Sequence, residues 1–406
     1  MYKPKQEILD NYAKLMVHYA LGQGNGVKSG TTVWLRGSEA VKPLYAAVHK
    51  ELVKAGVNVI HGYMMDDPEY NLEKDFYENA SEDQIGKFEE EFYKGMINQI
   101  DYYLYILGEN NPQGLAGIDS AKIAKHQSRF APWMKWREEK ELAGKFSWTL
   151  CLYGTEAMAK EAGLTIEEYW NQIIAACYLE EEDIVAKWKE INNQVQYQAQ
   201  SLNDMEITEV HITGPDIDLF VGMHPKAAWK GGSGANIPSF ETWISPDWRK
   251  TNGWIKCDNP WYCDGNKISG VHLEFKDGIV VSAKADENDT FLQEFLTIKN
   301  ANKIGEFSIT DKNLSNITLP MADTLYDENI GGEFGNMHIA LGDAYSDNYK
   351  GDSSKLTKQD LEELGFNQAN THKDIVLTTN HTVTITQSLQ EENIGRVIKE
   401  NGNILL

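Results

Sequence analysis

The sequence predicts an α/β N-terminal domain, with a parallel sheet flanked by helices, followed by a β-rich α+β C-terminal domain that carries a metal site. Three observations predict this. Short β-prone runs alternate with helical periodicity through the first 150 residues. Near Leu202-Asn203-Asp204 the pattern changes to paired strands around tight turns. Side chains of metal-ligating type then recur through the last 170 residues. A chain of 406 residues exceeds the size at which a single core tends to divide. The domains are expected at 1–204 and 205–406.

Thr31 to Arg36 is the first β-prone run and ends at Gly37. Residues 38 to 55 show helical spacing, with Leu44, Val48 and Leu52 on one face, and stop at Gly56. Val57 to Ile60 is the second strand. Residues 82 to 99 predict one helix, with Phe88, Phe92 and Met96 four apart. Tyr102 to Leu107 is the third strand, Ile123 to Trp136 a further helix, and Phe146 to Leu152 the fourth strand. Strands separated by helices of this length argue for a parallel sheet covered on both faces. Neither G-x-G-x-x-G nor G-x-x-x-x-G-K-[ST] opens any of these helices, so a dinucleotide site or P-loop has no support.

Residues 154 to 202 are helical and charged. Beyond them, Ile207 to Ile212 and Ile217 to Val221 flank Gly214-Pro215-Asp216, a hairpin signal. His272 to Phe275 and Ile279 to Ser282 flank Asp277-Gly278, a second one. Phe291 to Ile298 is expected as a helix, and Ile375 to Thr386 is β-prone.

The formal net charge of −23 argues against nucleic-acid or anionic-membrane partners. The apolar runs are far shorter than a membrane span. MYKPKQEILD has no apolar stretch behind its lysines, so a cytoplasmic protein is expected. Cys151, Cys177, Cys257 and Cys263 form no Cys-x-x-Cys pair and are expected as reduced thiols.

The chemistry is concentrated in a few segments: FETWISPD with Glu241, KIGEFSI with Glu306, NMHIALGDAY with His338 and Tyr345, and NTHKD with His372 and Asp374. Glu241 lies on a loop held by two prolines and preceded by several glycines. Glu306 begins a strand-like apolar run, where a buried carboxylate needs a partner. His338 opens the run Ile339 to Leu341. His372 and Asp374 alternate on an extended segment and therefore share a face. Two histidines and three carboxylates can hold two hard or borderline divalent cations. Two such ions can share one hydroxide, a nucleophile at neutral pH, which points to hydrolysis.

These segments, in this order and at similar spacing, resemble the aminopeptidase T family of thermophilic metallopeptidases, family M29. The resemblance covers most of the chain and is most specific from Asn236 to Asp374. It implies a dinuclear exopeptidase site, a homodimer, and Glu241, Glu306, His338, His372 and Asp374 as metal ligands, with Glu306 matching the shared ligand. Tyr345 falls on the family's site tyrosine. The family places an Asp-Glu-Asn a few residues before the histidine, and its glutamate is also a site residue. Here Asp327-Glu328-Asn329 is followed by GGEFG, so Glu328 lies ten residues from His338 and Glu333 five. Either is the remaining carboxylate, and spacing favours Glu333.

The expected function is release of N-terminal amino acids from peptides with a free N-terminus. A metal-bridging hydroxide attacks the first carbonyl, Tyr345 stabilises the tetrahedral intermediate or ligates weakly, and Glu241 or the Glu328/Glu333 carboxylate shuttles the proton. The two ions are zinc, cobalt or manganese. The alternatives are a dinuclear hydrolase of another amide or ester, or an inactive metal-binding scaffold.

Overall fold

In the computed structural model, which describes residues 2–67, 69–263 and 265–406, the alternating first half builds an all-parallel sheet. Its five strands run in the order Asn58–Met64, Thr32–Ser38, Tyr102–Leu107, Ser147–Leu152 and Asn236–Ile237. Val33, Leu35, Leu104 and Ile106 are fully buried on one face. The other face presents Trp34, Tyr103 and Trp148 to an aromatic layer with Tyr93, Phe130 and Trp133. Arg36 lies over the Trp34 and Tyr105 rings, 5.2 and 5.1 Å from their centroids. This sheet and its helices form one compact unit, Met1–Glu190 with Ser233–Ser239; the other comprises Ile191–Gly232 and Phe240–Leu406.

Two expected helices are each split in the structure. The run 82 to 99 forms Glu82–Ile85 and Glu90–Gln99. A Ser81–Gln84 capping box starts the first piece and Gly86 ends it, which frees Phe88 to stack on Tyr93 with centroids 5.2 Å apart. The run 123 to 136 forms Ser120–Ser128 and Ala131–Leu142. Phe130 leaves the helical path to meet Phe88 and Tyr93 edge-on, and Pro132 sits in the first turn of the second piece, where its missing N–H costs nothing. In both cases aromatic packing overrides a periodicity that looks continuous in sequence.

The second unit contains an eight-stranded antiparallel sheet and a five-stranded one. The larger includes both expected hairpins, Ile207–Gly214 with Ile217–Gly222 and His272–Lys276 with Ile279–Lys284. In the second hairpin Asp277 and Gly278 both have positive φ, 48° and 82°, as a tight two-residue turn requires. The smaller sheet consists of β1 (Lys230–Gly231), β2 (Glu241–Ile244), β3 (Ile304–Thr310), β4 (Asn336–Gly342) and β5 (His372–Leu377), ordered β5-β4-β3-β2-β1. All neighbours in it are antiparallel. Phe307, Ile309, Met337, Ile339, Leu341, Ile375 and Leu377 face a core shared with Val210, Ile212, Leu219, Val221, Ile255 and Leu273 of the larger sheet. The β-prone run 375 to 386 divides between the sheets: its first part is in β5 and its second in Thr382–Ser388. Among the described residues no helix is long and apolar enough to cross a membrane.

One buried lysine braces the smaller sheet. Lys399 Nζ donates to the carbonyl oxygens of Asn336 (2.8 Å) and Phe334 (3.3 Å), and lies 2.6 Å from His381 Nε2. Burial pushes its pKa down to about 7, partly opposed by Asp311. Between about pH 7 and the ordinary value of 10.5 the unfolded chain binds this proton and the folded chain does not. Stability from this residue is therefore full above 10.5 and is lost as pH falls through 7. Urea titrations should show wild-type stability rising relative to Lys399→Met from pH 7 to pH 9.5; equal slopes would contradict the assignment.

Candidate metal centre

Side-chain alternation places one row of polar groups on the face of the five-stranded sheet opposite the core. Glu241 and Trp243 of β2, Glu306, Ser308 and Thr310 of β3, His338 and Ala340 of β4, and His372 and Asp374 of β5 share it. Ser308 lies opposite both Trp243 and His338, and Ala340 lies opposite both Glu306 and Asp374. These small residues leave room for the longer carboxylates and imidazoles to converge above them. Two glycines make the local geometry feasible. A Cβ on Gly305 would lie 2.1 Å from the Asp343 carbonyl oxygen, and one on Gly342 only 1.9 Å from that of Thr371. The glycines of the IGEF and IALGD segments thus let the chain around His372 close against Glu306.

His338 Nε2 is 3.2 Å from Glu241 Oε2 and 3.2 Å from Glu306 Oε1. His372 Nε2 is 3.6 Å from Glu306 Oε2 and 3.4 Å from Asp374 Oδ1. Asp374 Oδ1 is also 4.0 Å from His338 Nε2. Two ligand groups result: Glu241, Glu306 and His338, and Glu306, His372 and Asp374. Glu306 is common to both, with one carboxylate oxygen toward each histidine. Ser308 Oγ donates to Glu241 Oε2 at 3.0 Å. His372 Nδ1 lies 2.7 Å from the Asp343 carbonyl oxygen, so Nδ1–H donates there and Nε2 is left as the nitrogen that faces the carboxylates, where it carries a proton or would bind a metal. Carboxylate oxygens and imidazole nitrogens that converge in this way suit a divalent metal.

The electrostatics agree. Burial pushes the Glu306 pKa up to about 7, with the Glu241 and Asp374 charges adding to it against the pull of the two histidines. Burial and the charges of Glu241 and Asp374 raise Glu328 well above the carboxylate range. Burial alone would lower both imidazoles. Glu241 and Glu306 instead raise His338 well above its ordinary value, and Asp374, Glu306 and the Asp343 carbonyl raise His372 to about 9. Asp374 is lowered despite its burial, chiefly by His372. Glu306 and Glu328 are thus pushed toward the protonated form, and a bound cation would take the place of those protons.

The two spacing candidates separate in space. Glu328 is buried and interacts electrostatically with Glu241, Glu306, His338 and Asp374. Glu333, which spacing favours, is exposed and belongs to neither ligand group. The GGEFG segment loops outward, with Gly332 and Gly335 at positive φ, before β4 begins. Asn329 of the same Asp-Glu-Asn segment accepts from the Phe240 amide at 2.7 Å, so it fixes the residue before Glu241. Tyr345 stands at the rim, 45% exposed, with its ring centroid 4.7 Å from His372 and 5.3 Å from Trp243. Its amide donates to Ser245 Oγ at 3.0 Å. Trp243, Ser308 and Asn329 were not singled out in the sequence. Alternation from Glu241 and Glu306 points to the first two; nothing local marks Asn329.

The model of the thermophilic metalloprotease family M29 matches residues 5–404. The chain belongs to this family. It is similar to aminopeptidase PepS of Streptococcus thermophilus, 24% identical over 396 residues that cover 92% of this chain and 93% of that one. Aminopeptidase T of Thermus aquaticus is 27% identical over 285 residues, covering 65% and 67%. The solved structure of wild-type AmpT from Thermus thermophilus superposes with a TM-score of 0.81 at 21% identity, covering 99% of this chain and all of that chain, 100%. That match shows the same fold, an α/β region with a parallel sheet followed by a β-rich region. The family is one of metallopeptidases, which are hydrolases that use a divalent metal.

If the cluster holds a metal, removing it leaves buried carboxylates that repel each other. Dialysis against a chelator should lower the melting temperature by several degrees, and zinc, cobalt or manganese should restore it. A melting curve indifferent to both treatments would count against a metal at this cluster.

Proposed function

We infer that this chain is a dinuclear metallo-aminopeptidase that removes N-terminal amino acids from peptides. The single observation that carries the reading is Glu306, whose two carboxylate oxygens face different histidines within two overlapping ligand groups. Family membership and aminopeptidase relatives support it.

Glu241, Glu306 and His338 would hold one ion, and Glu306, His372 and Asp374 the other. Zinc, cobalt and manganese all suit the donors. Bound there, the ions supply a Lewis acid for the scissile carbonyl and a nucleophile from water at neutral pH. The protein's own groups do the rest. Ser308 holds Glu241 in register, and the Asp343 carbonyl holds the His372 tautomer. Glu328 lies beside both ligand groups without belonging to either. It is the carboxylate available to receive the substrate α-amine or to carry the proton to the leaving amine. Tyr345, whose ring packs against His372 at the rim, would donate a hydrogen bond from its phenol to the oxyanion of the tetrahedral intermediate. The second domain carries this chemistry, and a homodimer is part of the proposal.

Aminoacyl-p-nitroanilides should be cleaved only with a free α-amine, and the activity should vanish with chelator and return with metal. Activity that survives chelation would sink the reading. Glu306→Gln should lose at least about a thousandfold in kcat while circular dichroism shows a folded chain, because the substitution weakens the contact to both ions. Tyr345→Phe should lose about a hundredfold or more in kcat, the scale of one oxyanion donor. Wild-type turnover in either variant would remove that residue from the mechanism.

A further inference from the structure

The edge of the metal-site sheet carries a basic residue that the mechanism above does not use. Lys230 of β1 pairs directly with Trp243 of β2, so both side chains stand on the same face. Trp243 is two residues from Glu241 and its ring meets Tyr345, which meets His372, so this is the face of the ligand groups. One row therefore crosses the sheet: Lys230, Trp243, Ser308, His338. Lys230 is the lone lysine or arginine among the strand residues that alternation puts on this face. It is partly exposed, and its ammonium makes no hydrogen bond or ion pair among the described residues.

The strand beneath Lys230 is short but firmly held. Asn203 clamps Trp229 in both directions, accepting from its amide at 2.8 Å and donating to its carbonyl at 2.9 Å. Gln196 donates to the carbonyls of Gly231 and Gly232 at 3.3 and 2.9 Å. Asn348 donates to the Ala228 carbonyl at 2.9 Å. A two-residue edge strand tied from several sides fixes where the lysine stem starts, which an ordinary solvated surface charge does not need.

We propose that Lys230 is a specificity residue that binds the terminal carboxylate of short peptide substrates. The distance argument is simple. Adjacent strands lie about 4.8 Å apart, so the Lys230 backbone stands about 10 Å from that of Ser308, beneath the ligand groups. An extended peptide advances about 3.4 Å per residue. A substrate whose first carbonyl sits at the ligand groups and whose chain crosses Trp243 brings its carboxylate within reach of a flexible four-carbon ammonium after two or three residues. In a protein with net charge −23, an ammonium at that point offsets the general repulsion of an anionic chain end. Longer peptides would carry uncharged backbone past the same position and gain nothing from it.

This inference rests on the aminopeptidase reading. The test compares kcat/KM for Leu-Gly-Gly, its C-terminal carboxamide, and the carboxamide of Leu-Gly-Glu, in the metal-loaded wild-type protein, Lys230→Gln and Lys230→Arg. The wild type should favour the free acid over its carboxamide about tenfold, mostly through KM, the scale of one charge-assisted hydrogen bond. Lys230→Gln should bring that ratio close to one, and Lys230→Arg should keep most of it. A wild-type ratio near one, or a ratio unchanged in Lys230→Gln, overturns the proposal. So does a preference for the Leu-Gly-Glu carboxamide over Leu-Gly-Gly, which would mean that the site reads an acidic side chain. Turnover of none of the three peptides by the wild type would instead strike at the aminopeptidase reading itself.

Discussion

Everything in the second unit is arranged around the burial of several carboxylates on one face of a sheet. Isolated buried charges cost several kcal/mol each, so a fold that gathers Glu241, Glu306, Glu328 and Asp374 must supply compensation. Two imidazoles supply part of it, each aimed inward by Nε2. The remainder is what a bound metal would supply. The sheet serves this need directly: its other face is apolar core, its small residues sit under the cluster, and two glycines let a neighbouring loop close in.

The same constraint explains which features were legible in the sequence. His372 and Asp374 could be placed on one face from alternation alone, and the structure pairs them with Ala340 and Gly342 across β4. Strand positions in the first unit followed from apolar runs between helices. Two helices did not, because Phe88 and Phe130 leave their helical paths for an aromatic layer built from residues far away in sequence. The carboxylate nearest His338 in sequence was a poor guide for a related reason. Five residues that loop outward leave Glu333 in solvent, whereas Glu328 returns to the cluster through a short helix and the Asn329 contact to Phe240. Lys230 was invisible for the plainest reason: its place beside Trp243 is set by strand pairing across a loop.

Similarity to solved structures at 21% identity fixes the fold but not the roles of individual residues. Those roles rest on local geometry. A fold of this kind does not by itself name an activity; the donor set on the sheet face is what distinguishes one chemistry from another.

The most direct measurement is a crystal structure of the metal-loaded protein with anomalous scattering collected at the metal edge. The account predicts two peaks about 3.5 to 4 Å apart, with one Glu306 oxygen on each, His338 on one and His372 on the other. A single peak, or two peaks with Glu306 bound to only one, would contradict the claim that this carboxylate joins two ions into one site.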